Sequence, residues 1–169
     1  GEAGEGILAA LQQSGGRHFL GYHKRSDPAS LFAREEIRRL KDSGELGAMR
    51  YVRILMPAGD YIANGGSHCI RTDEPPPEGA RDALPADMDE ATQRDYSSFV
   101  NYYIHQVNLM RYLLGEDYQV SYADPSGVLL AVQRASGIAG TIEMSPYRTS
   151  IDWQEEALIA FERGYVKLE

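Results

Sequence analysis

The 169-residue chain has little of several features that define common protein classes. It has one cysteine, Cys69, and therefore can form neither an internal disulfide nor a zinc site made of cysteines. Its 17 lysines and arginines are outnumbered by 25 acidic residues, and a net charge of −8 argues against binding to a nucleic-acid backbone or an anionic membrane surface. No apolar run approaches the roughly 18 residues of a membrane span. These absences predict a cytoplasmic globular protein without a metal site, a nucleic-acid partner or a membrane anchor.

The first half of the chain alternates short predicted helices and strands. Residues 5–13 predict a short helix that ends at the glycines of 14–16. Residues 17–24 alternate well enough to predict a strand. Asp27 and Pro28 then predict the N-cap and first turn of a helix that ends near residue 42. Residues 49–56 predict a second strand, and about 58–90 predict a long loop that is either functional or disordered.

The second half begins with a long predicted helix, from about residue 91 to residue 114, which Gly115 ends. Strands are predicted after it at 119–123, 127–134, 138–144, 154–162 and 165–168. Because the turns between them are short, we expect an α+β fold with a mostly antiparallel sheet and helices on one face. Neither face of the strand around residues 128–133 is cleanly polar, which predicts that the open face of the sheet pairs with a second copy of the chain.

The long helix is predicted to have an apolar face and a polar face. The expected core stripe consists of Tyr96, Phe99, Tyr103, Val107, Met110 and Leu114. The opposite face carries Asn101, His105, Asn108 and Tyr112 at spacings of four, three and four residues. Its flanks are apolar, so we expect this polar stripe to face a cleft or another surface. A histidine between amides can bind a polyol or accept a proton, or it can be a satisfied, partly buried histidine.

The remaining polar candidates have no spacing typical of a catalytic or metal site. His18, His23, His68 and Cys69 do not follow a metal-ligand pattern. Lys24 and Arg25 form a basic pair, and an ion pair with Asp27 or Glu35 is the simplest structural alternative for it. No glycine-rich nucleotide loop and no serine nucleophile motif is present in the sequence.

Several segments are similar, in the same order, to the C-terminal domain of the Gfo/Idh/MocA oxidoreductases. The turn that opens this domain resembles GYHKRSDP at residues 21–28. Its second strand resembles SGELG at 43–47 followed by MRYVR at 49–53. Its long helix resembles HQVNLMRYLLGE at 105–116, and its closing strands resemble GTIE at 140–143, DWQE at 152–155 and GYV at 164–166. These matches together cover nearly the whole chain.

The resemblance implies a two-domain parent protein. Members of this family join an N-terminal Rossmann domain to an α+β domain of the glyceraldehyde-3-phosphate dehydrogenase type, in which a large, mostly antiparallel sheet has helices on one face. Residues 1–16 would then be the tail of the crossover from a missing Rossmann domain, and residues 17–169 the α+β domain. NAD or NADP would be bound mainly by the missing domain. We therefore expect no cofactor on this chain alone, and no activity from it.

The resemblance also implies roles for four residues. The family's usual helix pattern is D-x-x-x-H-x-x-D, and Asn101, His105 and Asn108 stand at its three fixed positions. It implies that His105 is catalytic and that Lys24, Asn101 and Asn108 contact the substrate. Both acids of the pattern are amides here, and an amide can bind a hydroxyl group but cannot take up a proton.

The expected function is therefore that of a substrate-binding and oligomerisation domain in an NAD(P)-dependent oxidoreductase. Its substrate would be a sugar, a cyclitol, a nucleotide sugar or a similar hydroxy compound, and the parent would form a homodimer or a higher homo-oligomer. Two alternatives remain open. The chain could be a non-catalytic module of the same fold that binds a sugar or a partner, or a free-standing ligand-binding α+β domain.

Overall fold

The computed structural model describes residues 2–59, 72–75, 77–79, 87–133, 136–144, 147–149 and 153–169. The chain forms two compact units, residues 1–21 with 70–102 and residues 22–69 with 103–169. His68, Cys69 and most of the loop predicted at 58–90 lie outside the described residues. Within the described part, no helix combines the length and the apolar character needed to cross a membrane.

The helices are α1 (Glu2–Ser14), α2 (Pro28–Ser43) and α3 (Glu90–Leu114), and a 3₁₀ turn, His23–Ser26, precedes α2. The strands are β1 (Met49–Leu55), β2 (Ala58–Gly59), β3 (Gln119–Ala123), β4 (Leu129–Gln133), β5 (Ala139–Glu143), β6 (Arg148–Thr149), β7 (Glu156–Phe161) and β8 (Tyr165–Leu168). The sequence analysis located the three helices and the strands β1, β3, β4, β5, β7 and β8 to within a few residues.

The strand predicted at residues 17–24 is wrong. Residues 17–22 have no regular structure, and residues 23–26 form the 3₁₀ turn. The amide of Arg25 donates to the carbonyl of Tyr22 at 3.1 Å, which closes the turn immediately before the cap of α2. The alternation of apolar and polar residues was misleading because Phe19 and Leu20, its most apolar members, are 83% and 68% exposed.

The ends of helix α2 are set by a capping aspartate and a left-handed glycine. The Asp27 carboxylate Oδ1 accepts hydrogen bonds from the amides of Ala29 at 2.9 Å and Ser30 at 3.4 Å, while Pro28 occupies the first turn. At the other end, Gly44 adopts a φ of 65°, a left-handed conformation that suits glycine. The cap at Asp27 therefore fixes the point at which the 3₁₀ turn meets the helix.

The main sheet has six strands in the order β3-β4-β5-β1-β7-β8. Strand β1 lies in the middle, parallel to β5 and antiparallel to β7, and every other neighbouring pair is antiparallel. The prediction of a mostly antiparallel α+β sheet is thus confirmed. The strands of the second half do not form one run of hairpins, however, because β1 is inserted between β5 and β7.

One face of this sheet forms the core of the second unit. Val52, Ile54, Ile142 and Ile159 point to this face and are fully buried. Helix α3 packs on it closely at Gly140, where an added Cβ would meet the Met110 sulfur at 3.0 Å. The absence of a side chain at residue 140 lets the helix approach the centre of the sheet.

The core face of α3 is rotated from the predicted stripe. Tyr103, Met110 and Leu114 are buried as expected, but Tyr96 is 55% exposed and Val107 is only half-buried. The buried face of the helix in the second unit consists of Tyr103, Gln106, Leu109, Met110, Leu113 and Leu114. The predicted core stripe did not include the polar residue Gln106, which is only 1% exposed in the structure.

We expect Leu113→Ala to lower the free energy of unfolding by about 2–5 kcal/mol, since Leu113 is 0% exposed and its removal leaves a cavity. Leu31→Ala is the matched control, because Leu31 is a helical leucine that is 51% exposed. Its effect should stay within about 0.5 kcal/mol. Urea denaturation followed by circular dichroism measures both values, and equal losses in the two variants would contradict the assigned core.

Candidate functional site

The 3₁₀ turn His23–Ser26, called the basic turn below, packs its side chains against α3 in the second unit. The ring of His23 lies edge-on against the ring of His105, with centroids 4.2 Å apart and planes at 62°. Two residues later, Arg25 Nε donates a hydrogen bond to Asn108 Oδ1. His105 and Asn108 are three residues apart and share one face of the helix. The basic turn therefore covers the part of α3 that the sequence marked as its polar stripe.

The third basic side chain of this region, Lys24, reaches a carboxylate that precedes β7. Its Nζ donates to Glu155 Oε2 in an ion pair. The same carboxylate accepts from Trp153 Nε1 at 3.1 Å and, through Oε1, from Gln106 Nε2 at 2.7 Å. Glu155 is thus held by three donors, which compensates for its burial to 14% side-chain exposure. This carboxylate joins the basic turn, α3 and the sheet at one point.

The environment of His105 favours its neutral form. Burial, followed by the nearby charges of His23 and Lys24, lowers the pKa of His105 below its ordinary value, against a smaller opposing effect of Glu155. Its Nδ1 is buried and has no hydrogen-bond partner among the described residues. Because an imidazolium needs an acceptor for each of its two N–H groups, this geometry also disfavours the charged ring. A neutral imidazole is the form that can accept a proton.

A second aromatic contact extends the site beyond Asn108. The guanidinium carbon of Arg25 lies 5.3 Å from the centroid of the Tyr112 ring, and that of Arg34 lies 5.7 Å from it. Both distances are within the range of a cation–π contact. Tyr112 was predicted to share the polar face of the helix, and the structure gives it two cationic neighbours there.

The structure brings together three of the four residues singled out in the sequence analysis. Lys24, His105 and Asn108 meet through the basic turn. Asn101 is exposed and belongs to the first unit, so its role as a substrate contact stays a prediction.

The basic pair contacts distant residues. Lys24 and Arg25 contact Glu155 and Asn108, and not the local alternatives Asp27 or Glu35. Asp27 caps α2, and Glu35 pairs with Arg38 along that helix. Both acids that lie near the basic pair in the sequence are therefore already engaged in contacts within α2.

Sequence reasoning also missed three residues that build the site, namely Gln106, Trp153 and Glu155. The sequence pattern did not indicate that Gln106 is buried, since a single polar residue among apolar ones on a helix is usually assigned to the exposed side. Glu155 lies more than 100 residues from Lys24, and no spacing rule links them. The single tryptophan of the chain, directly before Gln154 and Glu155, was the feature that could have drawn attention to this segment.

A cleft of about 210 Å³ opens on the Lys24 side of this site. Its walls include Lys24, Ser30, Leu109, Trp153 and Glu155, all within the second unit. His105 does not line it. Within the described residues, no group of three or more His, Cys, Asp or Glu side chains has the geometry of a metal site.

The fold of this chain is similar to part of several solved dehydrogenase structures. The chain is similar to a scyllo-inositol dehydrogenase from Lactobacillus casei solved with NAD(H) and scyllo-inositol, with 15% identity, a TM-score of 0.55, and coverage of 99% of this chain and 46% of that one. A myo-inositol dehydrogenase from Lactobacillus casei, in complex with NAD(H) and myo-inositol, gives 14% identity and a TM-score of 0.53 over 89% of this chain and 39% of that one.

A third similar structure is that of a protein from Sinorhizobium meliloti 1021 with the provisional name myo-inositol dehydrogenase. It has 19% identity and a TM-score of 0.58 over 98% of this chain and 45% of its own. The chain thus spans less than half the length of these proteins. No protein-family model matches the chain, and no curated protein matches it. These likenesses confirm the fold that the sequence resemblance implied.

Two opposed variants test the electrostatics of His105. Lys24→Met removes a positive charge and leaves Glu155 uncompensated, so the pKa of His105 should rise. Glu155→Gln removes the carboxylate and leaves Lys24 uncompensated, so the pKa should fall further. A pH titration of the histidine ring protons by NMR measures both shifts, and His105→Asn assigns the resonance. Shifts in the same direction would contradict the geometry.

Proposed function

We propose that the chain is the substrate domain of an NAD(P)-dependent oxidoreductase of the Gfo/Idh/MocA family, acting on a cyclitol, a sugar or a related hydroxy compound. The observation that carries this proposal is the half-buried His105 beside Lys24 and Asn108, with its pKa lowered by burial, on a fold shared with inositol dehydrogenases. The family, the substrate class and the residue roles are all part of the proposal.

The chemistry requires a proton acceptor next to the substrate. When a carbinol carbon gives up its hydride, the hydroxyl group on the same carbon must lose a proton. In this proposal the His105 imidazole accepts that proton, since burial and its cationic neighbours keep the ring neutral at neutral pH. Lys24 and Asn108 orient the hydroxyl groups of the substrate. The nicotinamide ring, when bound, supplies the hydride acceptor.

The cofactor is assigned to a Rossmann domain that precedes this chain. In the described part of the sheet, β1 leads into Met56 and Pro57, without the glycine-rich turn that cradles a pyrophosphate. The turn after β1 therefore does not fit the phosphates of a dinucleotide. The chain's coverage of 45% or so of the dehydrogenases it matches supports a second domain.

The first unit offers a surface for such a domain. Ile7 and Leu8 of α1 are 42% and 61% exposed, and Phe19 and Leu20 are more exposed still. These apolar side chains suit burial against the preceding domain, as expected if residues 1–16 are the end of the crossover. We place the whole protein in the cytoplasm, in line with its single cysteine.

A second candidate function is favoured by one observation. Both acids of the family's helix pattern are replaced by Asn101 and Asn108, and Asn108 Oδ1 is engaged by Arg25. A parent protein that uses these amides to bind a sugar or a partner, without redox chemistry, would retain the same fold. The two functions differ in whether the parent reduces NAD or NADP.

We expect His105→Asn in the parent protein to lower kcat by about 10²–10⁴-fold, because it removes the proton acceptor but keeps a polar side chain of similar shape. Cofactor affinity should stay nearly unchanged. Initial rates of NAD(P)H formation and a fluorescence titration with the cofactor measure the two effects, and His18→Asn is the control. Unchanged turnover in His105→Asn would exclude the catalytic role, and a parent that binds cyclitols without any turnover would favour the binding module.

We also propose that the parent forms a homodimer through the open face of the main sheet. The half-buried residues on this face include Leu129, Ala131, Leu158 and Ala160. The charges beside them pair with one another, since Glu156 contacts both Arg53 and Lys167. A second copy can therefore cover these three paired side chains without isolating their charges. Burial of these apolar groups would drive the association.

Light scattering at micromolar concentration should give the mass of a dimer or a larger homo-oligomer. Ala131→Arg should reduce it to the monomer mass, because a cation would be buried at the interface. Leu31→Arg is the control, since Leu31 is an exposed residue of α2. A monodisperse monomer in the unmodified protein, or dissociation by both variants alike, would contradict the proposal.

A further inference from the structure

The guanidinium of Arg25 is partly buried but has no ion-pair partner among the described residues. Its Nε donates to the neutral amide oxygen of Asn108, and its plane lies near the Tyr112 ring. The adjacent cation, Lys24, is fully compensated by Glu155. Asp27, the nearest acid along the chain, is engaged as the cap of α2. Arg25 is therefore positioned by neutral groups alone.

This arrangement leaves the two terminal nitrogens of the Arg25 guanidinium available to bind an anion. An arginine presents five N–H donors in a planar fork, and its two terminal nitrogens match a carboxylate or phosphate in a two-point contact. Here the amide of Asn108 uses only Nε, and in the described part of the chain no carboxylate lies within salt-bridge distance of the other nitrogens. Tyr112 and Asn108 hold the fork in place, which lowers the entropic cost of binding an anion.

The second arginine near Tyr112 has a structural explanation that Arg25 lacks. Arg34 lies over the end of α3, where a Cβ on Gly115 would meet its Nη1 at 2.6 Å. A cation at the C-terminus of a helix is stabilised by the helix dipole. Arg34 therefore serves the packing of α2 and α3, and it provides a matched control for Arg25.

The charges around His105 also favour the binding of an anion. The titratable and charged groups of the described residues that face this part of α3 are Tyr22, His23, Lys24, Arg25 and Glu155, and Glu155 is the one carboxylate among them. Because Lys24 and Glu155 neutralise each other, Arg25 gives the region a net positive charge in a chain whose total charge is −8. A positive region on an acidic protein attracts anions in preference to neutral molecules.

We propose that Arg25 determines substrate specificity by binding an anionic group, a carboxylate or a phosphate monoester, on a hydroxy compound whose reacting carbon lies beside His105. The neutral Asn108 is part of this device, since an aspartate at the same position would pair with Arg25 and remove its charge. The inference rests on the proposed function for the reaction, but the binding of the anion itself does not depend on catalysis. It distinguishes this protein from enzymes that take neutral cyclitols.

The first test is binding to the 169-residue chain, measured by NMR on the arginine Nε–Hε resonances at constant ionic strength. The probes are D-glucose, D-glucuronate and D-glucose 6-phosphate, which differ in bearing no anion, a carboxylate or a phosphate. Both anions, or the one whose geometry fits, should shift the Arg25 resonance and bind about tenfold or more tightly than glucose. Equal binding of all three, or no shift at Arg25, would overturn the proposal.

Three variants test whether Arg25 is the residue that binds the anion. Arg25→Gln and Asn108→Asp should each weaken binding of the anion by about tenfold or more, the first by removing the charge and the second by neutralising it. Arg34→Gln should bind the anion as the unmodified chain does. Because this variant loses the Arg34 Nε–Hε resonance, it also shows which resonance belongs to Arg34 and which to Arg25. Loss of binding in Arg34→Gln but not in Asn108→Asp would place the anion elsewhere and overturn the proposal.

The second test separates this inference from the proposed function. In the parent protein, the ratio of kcat/KM for the anionic substrate to that for glucose should fall about tenfold or more in Arg25→Gln and Asn108→Asp, but not in Arg34→Gln. Anion binding at Arg25 without NAD(P) reduction would support the ligand site and reject the oxidoreductase. Turnover with an unchanged ratio in all variants would support the oxidoreductase and reject the role of Arg25.

Discussion

The Glu155 carboxylate is the interaction on which the candidate site depends. It lies just before β7, is largely buried, and accepts from Lys24, Gln106 and Trp153. A buried carboxylate is tolerated only when its lone pairs are satisfied, so these three donors have little freedom to move. Since Lys24 belongs to the basic turn and Gln106 to the core face of α3, the carboxylate fixes the position of the turn on the helix. The contacts of His23 with His105 and of Arg25 with Asn108 follow from that position.

The site combines one compensated cation with one uncompensated cation. Lys24 and Glu155 neutralise each other, so their pair contributes order and little net field, whereas Arg25 keeps its charge because its partner is an amide. His105 packs against His23 of the basic turn, and burial together with the nearby cations lowers the pKa of His105. The proposed binding of a hydroxy compound with a negative group rests on this combination of a histidine and an uncompensated cation. The same residues with an acid at position 108 would present a different electrostatic surface to the substrate.

The fold was largely predictable because its elements have strong local patterns. Asp27 and Pro28 marked the start of α2, Gly44 and Gly115 marked the ends of α2 and α3, and short turns separated the strands predicted after α3. The strand predicted at residues 17–24 was wrong, because a segment with alternating residues forms a strand only when a neighbouring strand pairs with its backbone. The place of β1 in the centre of the sheet was not predictable either. It is set by packing between segments more than 80 residues apart.

The sequence by itself determined which residue types line the polar face of α3, since helical spacing puts His105 and Asn108 on one side whatever the rest of the chain does. It could not determine which groups they meet. Only the tertiary structure decided that Lys24 would pair with Glu155, that Gln106 would be buried, and that Arg25 would rest on a neutral amide. Local spacing governs the direction of a side chain, whereas its partner, its burial and hence its charge state are set by contacts between distant segments.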